Sequence, residues 1–435
     1  INNLNIIYET SPFFYKENVC IVDKLIIINL EAINMKVLKP FYYDDFKCIA
    51  GNCIDNCCNS EWEISIDKST YKKYKRLRGQ WGNKIKKNIC KIRNNNNNYL
   101  RYGKIKLKNS RCSLLSEEGL CSIHANLGVG YLCNTCKVYP RQIIKYGKIY
   151  ERNLFMSCPE VARYFVRHKE NFYFNMGEEE LSDLDKDYII DKSYDENLYN
   201  LLWDSRSLAM EIIQFKEIEI WKRIIFLKML TDKVQRLIDE ENYENYEKVL
   251  NVFRNEITNI DLITSLDKIK VVEEVKLTFI KGVLKTSIKK SLDNCKYRNL
   301  IKEYNELFRK NNHRKNELEM IIEKEKEFNI FLQNYENILE NLLIYLIYEY
   351  FIQAVYTKNL IREINNIVFS YSIIRMLLLA RWNKNNKKLE ENDFVEIFYV
   401  FARNIEHRYK FLDSIYDAIK SAGYDSIAYT AILVR

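Results

Sequence analysis

The chain has 435 residues, 47% of them hydrophobic and 29% charged, which is long enough for two domains and ample for a packed core. The chain contains only 11 Gly and 4 Pro, and this scarcity of helix-breaking residues favours long helices. Twelve Cys without a secretion signal indicate a protein of the reducing cytoplasm rather than a secreted protein held together by disulfides. The net charge of +9 is uneven, since residues 1–165 hold 27 Lys and Arg against 14 Asp and Glu.

Residues 1–34 precede Met35, the first methionine, where a well-patterned sequence begins. They lack the charged segment, apolar segment and small-residue cleavage site of a secretory signal. We therefore expect residues 1–34 to be an upstream extension with no function of its own.

The first cluster of cysteines is Cys48-x4-Cys53-x3-Cys57-Cys58. Four thiols so close in sequence converge only if the backbone turns tightly, and the intervening Gly, Asn and Asp are turn formers. Thiolates bind soft or borderline metals such as zinc and iron. Neighbouring side chains rarely reach the same metal, so the Cys57-Cys58 pair predicts two metal ions, or one cluster and a separate site.

The segment from Lys68 to Arg111 contains 16 basic residues and no acidic one. Such a stretch can attract nucleic acid or an acidic protein partner. It can equally be a solvated basic surface. We therefore keep nucleic acid as an alternative partner through Lys68–Arg111.

A second set of cysteines follows, in which Cys133-x2-Cys136 has the spacing of a metal-binding knuckle and Cys158-Pro159 resembles the end of iron–sulfur runs. The other members are Cys112 and Cys121. Zinc would need two four-ligand sites, to which His124 could contribute, whereas an iron–sulfur cluster would use cysteine alone. For Cys90 and Cys295, which have no near partner in sequence, we expect buried thiols without a ligand.

The remainder of the chain is predicted to be helical. Residues 166–194 are acidic and read as a linker, and from about 195 apolar residues recur at three- and four-residue steps with charges between them. The longest apolar run, residues 341–356, contains Glu349 and is too short and polar for a membrane span, so it predicts a buried core helix. The expected fold is mainly α: a loop-rich, metal-binding cysteine domain over residues 35–165, with weak strand character at 143–149, and an all-α domain over 195–435.

Several familiar signatures are absent. There is no phosphate-binding loop, no Ser/His/Asp order and no Cys-x3-Cys-x2-Cys run, because Ser60 stands where the third cysteine of that run would be. The helical part shows no catalytic cluster of its own, since His313 and His407 stand alone on helical patterns. Any reacting centre is therefore expected among the cysteines.

The cysteines and their neighbours resemble the flagellin lysine-N-methylase family and, more broadly, proteins with a cysteine-rich, double-Cys signature. The resemblance covers about residues 35–165, while the helical part agrees in length and type. The matching residues are Tyr42–Trp62, Ile66, Asp67, Tyr71, Cys112, Leu115, Glu118–Cys121, Leu127, Gly128, Thr135, Cys136, Tyr139–Arg141 and Ser157–Glu160.

The resemblance implies methylation of lysine ε-amino groups on flagellin, with S-adenosylmethionine as donor and a bound iron–sulfur centre. It also implies eight metal-ligating cysteines: Cys48, Cys53, Cys57, Cys58, Cys112, Cys121, Cys136 and Cys158. The chain departs from the family pattern at Cys133, where a small polar residue is usual, and this weakens the case for a Cys133–Cys136 knuckle.

Lysine methylation also requires a neutral amine, because a protonated ammonium has no lone pair, and an in-line arrangement of amine, methyl group and sulfur. Asp55, His124, Tyr139 and Glu160 are candidates for the proton transfer by their location among the cysteines. Arg141 is a candidate for binding a carboxylate.

Overall fold

The computed structural model describes residues 5–7, 26–28, 35–59, 62–92, 99–109, 111–181, 189–290, 295–308 and 317–435. The predicted extension at 1–34 lies outside the described residues except for one antiparallel pair, β1 (Asn5–Ile7) and β2 (Ile26–Ile28). The middle of the acidic segment, residues 182–188, also lies outside them.

A five-stranded mixed sheet joins distant parts of the cysteine-bearing half. It is formed by β3 (Met35–Pro40), β9 (Arg141–Tyr146), β10 (Ile149–Leu154), β11 (Phe174–Glu179) and β12 (Ile190–Asp191), in the order β11-β3-β10-β9-β12. β9 and β10 form an antiparallel hairpin, with Gly147 at φ 57° in its turn. The weak strand signal at 143–149 therefore marks a real hairpin, but the sequence did not predict the sheet around it.

A smaller unit lies between β3 and β9 in the chain and has its own core. Its sheet has the order β4 (Ser65–Ile66), β6 (Gly103–Ile105), β5 (Ile89–Lys91), and β7 (Leu107–Lys108) pairs with β8 (Arg111–Cys112). Its helices are α1 (Lys68–Arg76), α2 (Gly79–Asn88), α3 (Ser122–Leu127) and α4 (Asn134–Val138). The buried side chains of this small core are Ile64, Ile66, Tyr71, Tyr74, Ile85, Ile89, Ile105, Cys112, Leu114, Ile123, Leu132 and Cys133.

The second half is entirely helical where the structure describes it. After α5 (Pro159–Arg167), which precedes β11, the helices are α6 (Glu196–Ile213), α7 (Ile220–Asp239), α8 (Tyr246–Glu256), α9 (Ile260–Leu266), α10 (Glu273–Lys290), α11 (Cys295–Glu306), α12 (Glu317–Leu332), α13 (Glu336–Tyr350), α14 (Ala354–Thr357), α15 (Leu360–Lys384), α16 (Glu391–Phe401), α17 (Tyr409–Ser421) and α18 (Ile427–Val434). A π-helical turn, Ala402–Glu406, continues α16. The mainly α fold is therefore confirmed.

Helix α15 is the centre of the helical part and packs against α7, α11, α13, α16 and α18. Two helical stretches of the described chain, Leu318–Thr357 and Leu360–Lys384, are apolar and long enough to cross a membrane, but 94% and 100% of their most apolar windows are buried inside the protein. A helix that is apolar all round and enclosed by other helices is the core helix of a globular protein. The predicted core helix at 341–356 is confirmed.

The large sheet and α5 share the core of the helices. Tyr42, Leu154 and Phe165 belong to the same buried cluster as the helical residues, and α5 packs against α13 and α16. Within the acidic segment predicted as a linker, Phe174–Glu179 forms an edge strand whose Glu179 bonds Lys39 and, at 2.6 Å, Arg152. This packing places the start of α5, and hence Cys158, directly against the helical half.

Candidate functional site

Four of the predicted metal ligands contact one another around Cys58. Its thiol lies within hydrogen-bonding reach of the thiols of Cys57, Cys112 and Cys121. The hydrogen bond from Cys58 lowers the pKa of Cys57 to about 7 and that of Cys121 to about 6, although burial opposes both shifts. The fold therefore joins the segment of Cys57 and Cys58 to that of Cys112 and Cys121, more than fifty residues later in the chain, in one thiol cluster.

Backbone and amide hydrogen bonds hold this cluster in place. The amide of Cys112 donates to the carbonyl of Cys58 at 2.9 Å, which continues the end of β8 into the first cysteine loop. The side chain of Asn56 accepts from the amide of Cys58 at 3.1 Å and donates to the carbonyl of Gly119 at 3.2 Å. Asn56 thus ties the loop before Cys58 to the loop before Cys121.

Cys133 and Cys136 form a neighbouring pair. Their side chains are hydrogen-bonded, and this bond together with burial raises the pKa of Cys136 well above its usual value. Cys136 is also close enough to Cys57 and Cys121 for their negative charges to raise its pKa further. Cys133, at which the chain departs from the family pattern, therefore lies with the other thiols.

A second group consists of Cys48, Cys53 and Cys158. Cys158 precedes the first turn of α5, where burial raises the pKa of its thiol to about 12 although the amides of Val161 and Glu160 hydrogen-bond to the sulfur. Burial also raises the pKa of Cys53, whose surroundings include Cys48 and Arg403. Cys48 itself is exposed, so this group opens to solvent on one side.

The thiols suit a soft metal chemically, since thiolates are ligands of zinc and of iron–sulfur clusters. Their arrangement is a different matter. Within the part of the chain that the structure describes, no group of three or more His, Cys, Asp or Glu side chains is disposed to hold a metal ion. The side chains around Cys58 contact one another, and a metal at this site stays a prediction.

The helical half contributes an arginine to the cysteine loops. The Nε atom of Arg403 donates to the carbonyl of Ser157 at 2.9 Å, and Nη2 donates to the carbonyl of Asp55 at 2.9 Å. Nη1 lies 3.0 Å from the carboxylate of Asp55, and the arginine side chain is only 5% exposed. Asp55 lies between Cys53 and Cys57, and Ser157 immediately precedes Cys158.

A chain of polar side chains continues from Ser157. Its hydroxyl lies 2.7 Å from Nε2 of His407 and 3.0 Å from the hydroxyl of Tyr139. Burial, with the charge of Arg403, lowers the pKa of His407 to about 4, so the ring is neutral at physiological pH. Trp62 packs edge-on against Tyr139 with 4.5 Å between ring centroids and donates to the carbonyl of Cys57 at 3.0 Å.

A second cation reaches the same aspartate. Nζ of Lys296, at the start of α11, lies 3.4 Å from the carboxylate of Asp55 and donates to the hydroxyl of Tyr399 at 2.7 Å. Asp55 is 8% exposed and thus carries two positively charged neighbours in a largely buried position. The aspartate proposed for proton transfer is therefore held as an ion-pair partner.

The other catalytic candidates predicted from the sequence occupy different positions. Tyr139 lies inside the polar network, and Glu160 lies in the first turn of α5, bonded to Arg163 at 3.3 Å. Arg141, on β9, donates to the carbonyl of Phe46 at 3.2 Å and stacks over the rings of Tyr43 and Phe46. His124 is on the exposed side of α3, beside Cys121.

Sequence reasoning missed Arg403 and Lys296, and it gave no role to His407. Each lies on an otherwise ordinary helical pattern more than 130 residues after the last clustered cysteine. Arg403 lies in the π-helical turn and His407 directly follows it, and π-helical turns occur often at functional sites. The sequence placed any reacting centre among the cysteines, and the structure adds these three residues of the helical half to the surroundings of the cysteine loops.

The fold and the site together define a mainly helical protein whose thiol-rich loops are completed by residues from its C-terminal helices. The sequence model of the FliB lysine N-methylase C-terminal domain matches residues 206–433, slightly more than half of the chain. The chain belongs to the FliB lysine N-methylase family, and the enzyme class predicted from the cysteine motifs is confirmed at the level of that family. The match lies in the helical half, where the motifs gave no specific resemblance.

Individual relatives agree with this assignment. The chain is 34% identical over 129 residues to the flagellar biosynthetic protein FliU of Salmonella muenchen, an alignment that covers 29% of this chain and 74% of that protein. It is 32% identical over 128 residues to the lysine-N-methylases of Salmonella typhimurium and Salmonella choleraesuis, and covers 31% of the length of each. No solved structure matches the chain.

Proposed function

We propose that this protein transfers methyl groups from S-adenosylmethionine to lysine ε-amino groups of flagellin in the cytoplasm. The observation that carries the proposal is that both halves of the chain contribute to the cysteine site. Arg403 and His407, which lie in the family-matched segment, hydrogen-bond to the cysteine loops. The flagellar name of one relative and the lysine-N-methylase names of two others support the substrate and the reaction.

The charges around Asp55 suit a reaction that needs a neutral amine. Arg403 and Lys296 place two positive charges beside one carboxylate, so the trio carries a net positive charge. A like charge nearby disfavours protonation of a substrate lysine and lowers its pKa. The amine that reaches this face would therefore be more readily available as a nucleophile.

We also propose that the two cysteine groups hold a metal centre, either iron–sulfur or zinc. Cys57, Cys58, Cys112 and Cys121, with the neighbouring Cys136, would ligate it in the first group. Cys48, Cys53 and Cys158 would contribute in the second. A bound centre would supply folding free energy to the small core that surrounds Cys112 and Cys133.

Methyl transfer from radiolabelled S-adenosylmethionine to purified flagellin tests the function directly. We expect label on flagellin lysines with the anaerobically isolated protein, and loss of labelling when the same flagellin is acetylated on its lysines beforehand. Flagellin that gains no label over a range of pH and metal content would contradict the proposal.

A non-catalytic binding module is the second candidate. It is favoured by the basic surface, because Lys72, Lys75, Arg76 and Arg78 are all exposed on or beside α1. If this surface serves nucleic acid, binding should weaken steeply with salt, since each neutralised phosphate releases a counterion. Tight, salt-dependent nucleic-acid binding together with no methyl transfer would favour this alternative.

A further inference from the structure

Arg403 bonds two loops that have no sequence continuity. All three nitrogens of its guanidinium group are engaged, Nε with the carbonyl of Ser157 and the two Nη atoms with the carbonyl and the carboxylate of Asp55. A planar guanidinium can satisfy several acceptors at fixed angles, whereas a lysine ammonium cannot reproduce that geometry. The side chain thus fixes both the distance and the angle between the loops.

The positions of the two acceptors connect this bond pattern to the thiols. Asp55 lies two residues from both Cys53 and Cys57, and Ser157 is next to Cys158. The guanidinium charge is among the electrostatic influences on both Cys53 and Cys158. A change in the orientation of Arg403 would therefore move these two cysteines relative to each other.

The local backbone explains why Arg403 reaches this position. The turn Ala402–Glu406 is π-helical, and the amide of His407 donates to the carbonyl of Ala402 at 3.0 Å. Arg403 and His407 then both meet Ser157, one at its carbonyl and the other at its hydroxyl. The ring of Tyr399, 4.9 Å from the guanidinium carbon, holds the plane of the arginine from α16.

We propose that Arg403 is a positioning residue that holds the Cys53–Cys57 loop against Cys158, so that the helical half sets the geometry of the thiol site. The inference concerns the same site as the proposed function, on which its catalytic meaning rests. Its test reads the protection of individual thiols, so it can fail while methyl transfer to flagellin is observed, and the reverse is also true.

The test compares alkylation rates of single cysteines in the full chain, measured with iodoacetamide and peptide mass spectrometry. In Arg403→Gln, release of the two loops should expose Cys53 and Cys158, so we expect both to react about tenfold faster than in the unsubstituted protein. The rates are compared after correction for the fraction of thiolate, because loss of the guanidinium charge raises the pKa of both thiols and by itself slows alkylation. Cys90, on β5, and Cys133, in the small core, should react at unchanged rates. Arg403→Lys should give an intermediate rate at Cys53 and Cys158, since lysine keeps the positive charge but lacks the planar guanidinium that reaches three acceptors.

Arg375→Gln is the matched control. The side chain of Arg375 is also 5% exposed, and it bonds Asn329 and lies 3.6 Å from Glu325, away from the cysteines. This variant should lower stability without changing the reactivity of Cys53 or Cys158. Three results would overturn the proposal: unchanged rates in Arg403→Gln, an equal rise at Cys90 and Cys133, or the same pattern in Arg375→Gln. If Arg403→Gln does not fold, the rates of Arg403→Lys decide by the same criteria.

Discussion

At the residue scale, two carboxyl groups lie in the apolar interior behind the thiol site. Glu406 is 1% exposed, and its Oε1 accepts a hydrogen bond from the hydroxyl of Tyr345 at 2.8 Å. Glu349 is 4% exposed and accepts from the side chain of Asn153 at 2.8 Å. Burial, with the charge of Glu349, raises the pKa of Glu406 to about 8, so this carboxyl is protonated in the folded protein at neutral pH.

This protonation makes stability depend on pH in a defined direction. The folded pKa of Glu406 is raised from 4.5 to about 8, so its contribution to stability is fully present below about pH 4.5 and is lost as pH rises towards 8. The slope for one such group is at most about 1.4 kcal/mol per pH unit. In Glu406→Gln, which has no proton to lose, we expect the free energy of unfolding to fall less between pH 5 and pH 8.

Urea titrations of the two proteins at pH 5, 6.5 and 8 measure this difference. As pH rises, the free energy of unfolding of Glu406→Gln should increase relative to that of the unsubstituted protein. Parallel stability profiles over the whole range would mean that Glu406 is already ionised in the folded state.

At the element scale, the sequence identified those features that are local. Helical periodicity predicted the long second half, and the strand character of 143–149 marked the β9–β10 hairpin. The large sheet was missed because β3 pairs with β10 and β11 from more than a hundred residues away, and no short pattern records such pairing. The same limit hid Arg403, whose contact with Asp55 spans 348 residues.

Two glycines in strands test how tightly these elements pack. A Cβ added to Gly103, on β6, would lie 2.4 Å from the ring of Tyr71, whereas one added to Gly177, on β11, would have no atom within 4 Å among the described residues. We expect Gly103→Ala to destabilise the small unit by about 1–3 kcal/mol through overpacking. Gly177→Ala should be neutral or stabilise by about 0.5 kcal/mol, because alanine loses less backbone entropy on folding.

Thermal unfolding of both variants, followed by circular dichroism, distinguishes these effects. The Gly177→Ala variant serves as the matched control for adding one methyl group to a strand. Equal melting temperatures for the two variants would show that Tyr71 yields to the new methyl group without cost.

At the scale of the whole molecule, the described residues form one extensive core, a much smaller core around Tyr74, and a three-residue cluster of Val37, Ile143 and Tyr150. The small core around Tyr74 holds far fewer buried side chains than the core shared by the sheet, α5 and the helices. A small unit with several thiols is the kind of structure that a metal stabilises. The helices pack around an extensive apolar core and do not need a metal for stability.

The proposed metal centre predicts that a chelator affects one part of the molecule selectively. After anaerobic treatment with a chelator, we expect trypsin to cleave rapidly within 68–111, where basic residues are dense, while 196–435 remains protected. Limited proteolysis followed by mass spectrometry locates the cuts, and restoring iron and sulfide, or zinc, should slow them. Identical digestion patterns before and after chelation would contradict a metal-dependent small unit.

The long separation between the cysteine loops and Arg403 has a consequence for biosynthesis. A ribosome makes the thiol loops long before the π-helical turn, so a nascent chain that has not yet reached Arg403 lacks the guanidinium that joins Asp55 to Ser157. The order of translation therefore makes the joining of Asp55 to Ser157 a late step in the assembly of this site, completed only when the helix that carries Arg403 has docked.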